Sequence, residues 1–221
     1  MRSIAAAIAP AEQLRASYSA TRSFTDRIAE PLSPEDCTIQ SMDDASPTKW
    51  HLAHTTWFFE TFILRTQADY REFDPEFNFL FNSYYNSIGK QYPRSRRGLI
   101  SRPGMQQVED YRKHVDRELT KRLECDDFAA QAAELLWIGI NHEQQHQELM
   151  LTDAKHMLSC NPTWPTYRDD PFDQSGEAKF VDWIEVSEGL HMIGHEGDDF
   201  AYDNEFPRHQ THLHGASLAT T

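Results

Sequence analysis

Asn141-His142-Glu143-Gln144-Gln145-His146-Gln147-Glu148 sets two imidazoles four residues apart in a segment with helical composition. At that spacing both side chains leave one face a single turn apart, close enough to share a metal ion. Far earlier in the chain, Lys49-Trp50-His51-Leu52-Ala53-His54-Thr55-Thr56-Trp57 places another histidine in an apolar stripe. Two helices packed together could bring His54 to His142 and His146 and build a three-histidine site.

Outward from the first stretch, Asp126-Asp127 can cap a helix running to about Leu158. Its core candidates are Phe128, Ala132, Leu135, Leu136, Ile138, Leu149 and Met150, and the two histidines fall on the stripe of Leu135, Ile138, Gly139 and Leu149. Before it, Val108, Tyr111, Val115, Leu119 and Leu123 give an amphipathic helix over 106–124. Leu14, Tyr18, Phe24 and Ile28 give another over Ala11–Ala29, stopped by Pro31 and Pro34. Ser46 as cap and Pro47 at the first helical position open an aromatic helix over 47–65. His54 points into the core with Trp50, Trp57 and Phe58, where a neutral ring needs partners for both nitrogens. His51 lies about a quarter-turn round that helix and reads as a surface residue or a neighbour of the ligands.

Residues 66–105 interrupt the helical pattern with Asp74-Pro75, Gly89, Pro93, Gly98 and Pro103, around the aromatic run Phe77–Asn86. A connection this long inside a compact domain is functional or contains short helices. Its Arg94-Ser95-Arg96-Arg97 cluster is either a solvated basic loop or a clamp for a substrate carboxylate. The expected fold is mainly α: an antiparallel four-helix bundle over 11–160, an architecture whose core readily hosts metal sites. A proline-rich linker over 161–179 follows. Residues 180–221 read as strands at Val181–Val186 and Gly189–Ile193, a loop over 198–209, and a last strand marked by His209, His212 and His214. Some forty residues of β pattern cannot bury a core alone, so this reads as a second domain cut off soon after it begins.

The 221 residues carry 21 Lys+Arg against 35 Asp+Glu, a net charge of -14 that repels a phosphate backbone and argues against nucleic-acid binding. No run approaches the roughly 20 apolar residues of a membrane span. Cys37, Cys125 and Cys160 are odd in number and form no CxxC pair, which favours a reducing compartment. The apolar run before Pro10 is too short for a signal peptide, and the expected location is the cytoplasm.

His142 to His146 also fits H-E-x-x-H, the zinc-hydrolase motif in which the glutamate activates water. Leu149 and Thr152 stand where its extended form needs glycine and histidine, and prolines and strands follow 160 where a helical glutamate ligand is required. Two inward histidines could instead merely satisfy buried polar groups. Adding His54 favours a metal, because every buried polar atom requires a partner. Three neutral imidazoles suit Fe(II), Zn(II), Ni(II) or Mn(II), and spacing does not choose among them.

Trp50-His51-Leu52-Ala53-His54-Thr55, His142–Glu148 and Phe200-Ala201-Tyr202-Asp203-Asn204-Glu205-Phe206-Pro207-Arg208-His209 together resemble the ergothioneine-biosynthesis sulfoxide synthases (EgtB-type). In that family a DinB-like four-helix bundle precedes an α+β domain similar to the formylglycine-generating enzyme, which the resemblance implies begins over 180–221. The resemblance implies an Fe(II) enzyme that uses O₂ to join the sulfur of cysteine or γ-glutamylcysteine to C2 of the hercynine imidazole. It implies His54, His142 and His146 as iron ligands, Gln145 as the hercynine contact, and Arg94 and Arg97 as the pair holding the thiol substrate's carboxylate. It further implies that the catalytic tyrosine lies beyond Thr221, so that this chain alone would have little or no synthase activity. The competing class is a DinB-like metal-binding module or thiol transferase.

Overall fold

The computed structural model describes residues 11–83, 89–169, 181–197 and 200–220. The amino-terminal lead-in, Tyr84 to Asn86, residues 170–180 of the linker region, and Asp198-Asp199 lie outside the described residues. The chain divides into two units, one of residues 8–168 and one of 169–221 with 1–7.

In the first unit, α1 (Ala11–Ala29), α2 (Thr48–Phe62), α4 (Met105–Arg122) and α5 (Asp126–Cys160) are long, and α3 (Phe77–Phe81) is a single short turn. The centre is α2, whose residues Thr48 to Glu60 are all buried. A helix buried around its whole circumference lies inside a core, and here α4 and α5 pack against it while α1 packs against α5. One apolar cluster runs through all four long helices, with Trp57, Phe59, Tyr111, Val115 and Leu136 fully buried.

Several local expectations are corrected. On α1 the buried stripe passes through Leu14, Tyr18, Arg22, Thr25 and Ile28, leaving Phe24 43% exposed beneath the Arg27 guanidinium. On α5, Leu135 and Leu149 are exposed, and the inward stripe runs through Leu136, Gly139, Ile140 and Glu143. Its N-cap residue is Cys125, with Asp126 and Asp127 in the first turn, where they complement the helix dipole. Ser46 does not cap α2. Pro47 occupies the cap, and its carbonyl accepts from the Trp50 and His51 amides at 2.8 and 3.2 Å.

The long connection contains α3 and 3₁₀ turns at Leu64–Thr66 and Arg94–Leu99. It is tied down from α2. Glu60 accepts from the Tyr70 hydroxyl (2.6 Å), the Phe73 amide (2.9 Å) and, from α4, the Tyr111 hydroxyl (2.5 Å). Lys49 Nζ donates to the Ile100 carbonyl at 2.7 Å.

Two features set the seat of α5. A Cβ added at Gly139 would stand 2.4 Å from Phe59 Cε1 and 3.0 Å from Phe58 Cε1, so only glycine lets α5 approach α2 this closely. Four residues on, the fully buried Glu143 carboxylate accepts from Arg22 Nη1 (2.9 Å), Thr25 Oγ1 (2.7 Å) and Arg112 Nη2 (3.4 Å). Burial alone would raise its pKa, but the two guanidinium groups outweigh burial and hold it below the usual carboxylate range.

In the second unit, β1 (Trp183–Val186) pairs antiparallel with β4 (Ala216–Ala219), and β2 (Gly189–Ile193) pairs with β3 (His209–Leu213). These are two separate two-stranded sheets. The β4 strand lies beyond the last strand expected from the sequence. Among the described residues no helix is long and apolar enough to cross a membrane, and the three cysteines are free.

Glu143→Ala should lower the unfolding free energy by about 3–5 kcal/mol, because it leaves two buried guanidinium groups short of a carboxylate. Gly139→Ala should cost about 1–3 kcal/mol, the overpacking penalty exceeding the roughly 1 kcal/mol that alanine gains in helix propensity. Urea denaturation measures both, and a neutral or stabilising Gly139→Ala would contradict the close approach.

Candidate metal centre

The aromatic face of α2 presents His54, and α5 presents His142 and His146 one turn apart. One ring nitrogen from each lies within 4.8 Å of the others. His54 stacks with Trp50, ring centroids 4.5 Å apart, and with Trp57 at 5.8 Å, which restrains the plane of its ring. Its Nδ1 is 2.6 Å from the Phe81 carbonyl at the end of α3. A carbonyl only accepts, so Nδ1 carries the hydrogen and Nε2 presents a lone pair. That Nε2 is 3.1 Å from His142 Nε2.

The donor set fits a metal ion. Two nitrogens each about 2.1 Å from one ion stand roughly 3.0–3.4 Å apart, and the His54–His142 pair falls in that range. His142 Nδ1 is buried and has no hydrogen-bond partner among the described residues.

Burial lowers the pKa of all three rings, with neighbouring histidines adding to the effect for His54 and His146, and it brings His142 to about 4. Near neutral pH each is uncharged, the form in which imidazole ligates. His51 is lowered by burial as well, against the opposing pull of Asp153.

His51 is only 2% exposed. It is no surface residue but the neighbour of His146: its Nδ1 is 2.8 Å from His146 Nδ1, and its Nε2 is 3.0 Å from Asp153 Oδ2. Asp153 stands seven residues after His146, two turns on the same face of α5. The i, i+7 spacing of His146 and Asp153 is visible in the sequence itself.

The arginine cluster divides. Arg97 is buried, its guanidinium 3.4 Å above the centre of the Trp50 ring, with Nη1 and Nη2 each donating at 2.9 Å to the hydroxyls of Ser46 and Ser83. Arg94 is exposed and donates to the Asp44 carbonyl. Both reach a cavity of ≈ 260 Å³ that also borders the three histidines and the exposed Gln145. Every sequence-expected site residue therefore lines one space. Glu143 is the exception that removes the hydrolase reading, because both its oxygens are engaged by Arg22, Thr25 and Arg112 from α1 and α4 and it does not line the cavity.

The sequence pattern of the DinB superfamily matches residues 17–150, a span holding all three histidines. It covers more than half of the chain, and the chain belongs to that superfamily. No curated protein matches the sequence.

The buried rings make the metal-free protein acid-sensitive. Their folded pKa values lie below the ordinary 6.5, so between the two values the unfolded chain binds more protons and stability falls as pH falls. For His142 alone the full window from 6.5 to about 4 corresponds to something on the order of 3 kcal/mol. Urea unfolding between pH 7 and 4.5 should show this decline, and His142→Asn should flatten it. A pH-independent stability in that window would contradict the burial of neutral rings.

Proposed function

We propose that this member of the DinB superfamily binds Fe(II) through His54, His142 and His146 and holds a thiol, cysteine or γ-glutamylcysteine, beside it. On this reading it is part of an O₂-dependent sulfoxide synthase that joins the thiol sulfur to C2 of the hercynine imidazole. The observation that carries the reading is the single cavity onto which a nest of three neutral imidazoles and a pair of arginines both open.

Fe(II), when bound, supplies a redox-active Lewis acid that lowers the pKa of a ligating thiol. The protein's own part is positioning. Arg97 is held by Trp50 beneath it and by the Ser46 and Ser83 hydroxyls, so its guanidinium is ordered before any ligand arrives. A carboxylate meeting Arg97 and Arg94 makes charge-assisted hydrogen bonds, and a short amino acid anchored there extends its thiol into the cavity toward the histidines. Gln145, which offers both a donor and an acceptor, stands at the same cavity for the azole ring of the second substrate. Trp50 and Trp57 both stack with the His54 ring, which is only 2% exposed.

Anaerobic titration tests the proposal. The protein should take up one equivalent of Fe(II), and cysteine should then change the metal's absorption as a thiolate joins it. Arg97→Met should weaken cysteine binding about 10- to 100-fold, the loss of a hydrogen bond to a charged group, with little change in Fe(II) affinity. Hercynine added afterwards should alter the spectrum again. Indifference to cysteine would overturn the proposal, and a response to cysteine with none to hercynine would leave a thiol transferase in its place.

A further inference from the structure

We infer that Asp153, acting through His51, fixes His146 in the tautomer with hydrogen on Nδ1 and so turns the Nε2 lone pair of that ring to the cavity. For its consequence the inference rests on the three-histidine metal reading, and it concerns two residues outside the triad.

The chain of contacts starts at the backbone. The Ser46 amide donates to Asp153 Oδ2 at 2.9 Å, which orients the carboxylate at the amino end of α2. The same oxygen lies 3.0 Å from His51 Nε2. A carboxylate only accepts, so the single hydrogen of the neutral His51 ring is on Nε2 and its Nδ1 is a lone pair. That lone pair sits 2.8 Å from His146 Nδ1. Two facing lone pairs repel, and the contact closes only if His146 carries its hydrogen on Nδ1 and donates it. Nε2 of His146 is then bare.

His54 obeys the same rule by a shorter route, its Nδ1 hydrogen taken directly by the Phe81 carbonyl. Histidine ligands commonly donate their other nitrogen to a carboxylate or carbonyl, which sets ring orientation and basicity. Here one carboxylate does so through an intervening imidazole. His51 is buried, and the Asp153 side chain is only 12% exposed, so water competes little for either bond. Asp153 and His51 are positioning residues. Neither is a ligand in this account.

Two measurements on the full chain decide the matter. In the metal-free protein labelled with ¹⁵N-histidine, ring nitrogen–proton correlation spectra should show His146 as the Nδ1–H tautomer, and Asp153→Ala should convert it to a mixture. In Co(II) titrations Asp153→Ala and His51→Phe should each weaken binding about 10- to 100-fold, as loss of such a supporting partner does, and should shift the Co(II) visible bands. Asp153→Asn, which keeps a carbonyl acceptor at the same reach, should restore part of the loss and serves if the alanine variant does not fold. A hydrogen on Nε2 of His146 in the wild type, or unchanged affinity and bands in the variants, would overturn the inference. If wild-type protein takes up no Co(II), the metal reading falls, while the tautomer spectrum still decides the role of Asp153 and His51.

Discussion

The Glu143 carboxylate, lodged between Arg22 and Arg112, fixes the rotation of α5 about its own axis, and the rest of the site follows from that rotation. Successive residues of a helix are turned by roughly 100°. Pinning Glu143 toward α1 and α4 leaves His142 and His146 on the side that meets α2. The guanidinium groups are held in turn by further carboxylates, Arg22 by Asp116 at 2.7 Å and Arg112 by Asp26 at 2.9 Å. A buried charge cluster of this kind adds little net stability over an apolar one, but it tolerates only one arrangement. Gly139 completes the constraint by setting how near α5 comes to α2. Rotation from one residue and distance from the other bring three rings from two helices to one point.

The chemistry of the cavity depends on burial as much as on composition. In water an imidazole is half-protonated near pH 6.5, and clustered cations would repel one another and any metal. Removing the rings from solvent keeps them neutral, while the cationic groups at the same cavity are Arg97 and Arg94. A protein of net charge -14 thus sets two arginines, with Asp153, around a cavity lined by neutral imidazoles. On the proposed metal reading, the two arginines favour a small anionic ligand that also carries a donor for the ion.

Much of this was legible in the sequence. The spacing of His142 and His146 and the aromatic stripe around His54 were enough to bring those rings together, because helical periodicity is a local property. What periodicity could not assign was the exact inward stripe of α5. Leu135 and Leu149 are apolar yet exposed, and Glu143 is charged yet fully buried, because a carboxylate with two arginine partners is satisfied in the interior. Those partners come from α1 and α4, and no local pattern pairs them. Ser46 shows the same limit. Its place before Pro47 reads as a cap, but a buried arginine from a distant turn takes its hydroxyl. In Arg94-Ser95-Arg96-Arg97 the sequence left loop and clamp equally open. Trp50 seats Arg97 on its ring, a contact between distant residues that no local pattern announces. The β4 strand went unread because Ala216–Ala219 is short and lacks the alternation that marks a strand.

The central claim is that three imidazoles and no carboxylate form the protein's share of one metal centre. X-ray absorption at the metal edge of the Fe(II)-loaded protein tests it most directly. The account predicts one iron per chain with three imidazole rings in its coordination shell, falling to two in His54→Ala. A shell with a carboxylate from Asp153 or Glu143, or one with fewer than three imidazoles in the wild type, would contradict it.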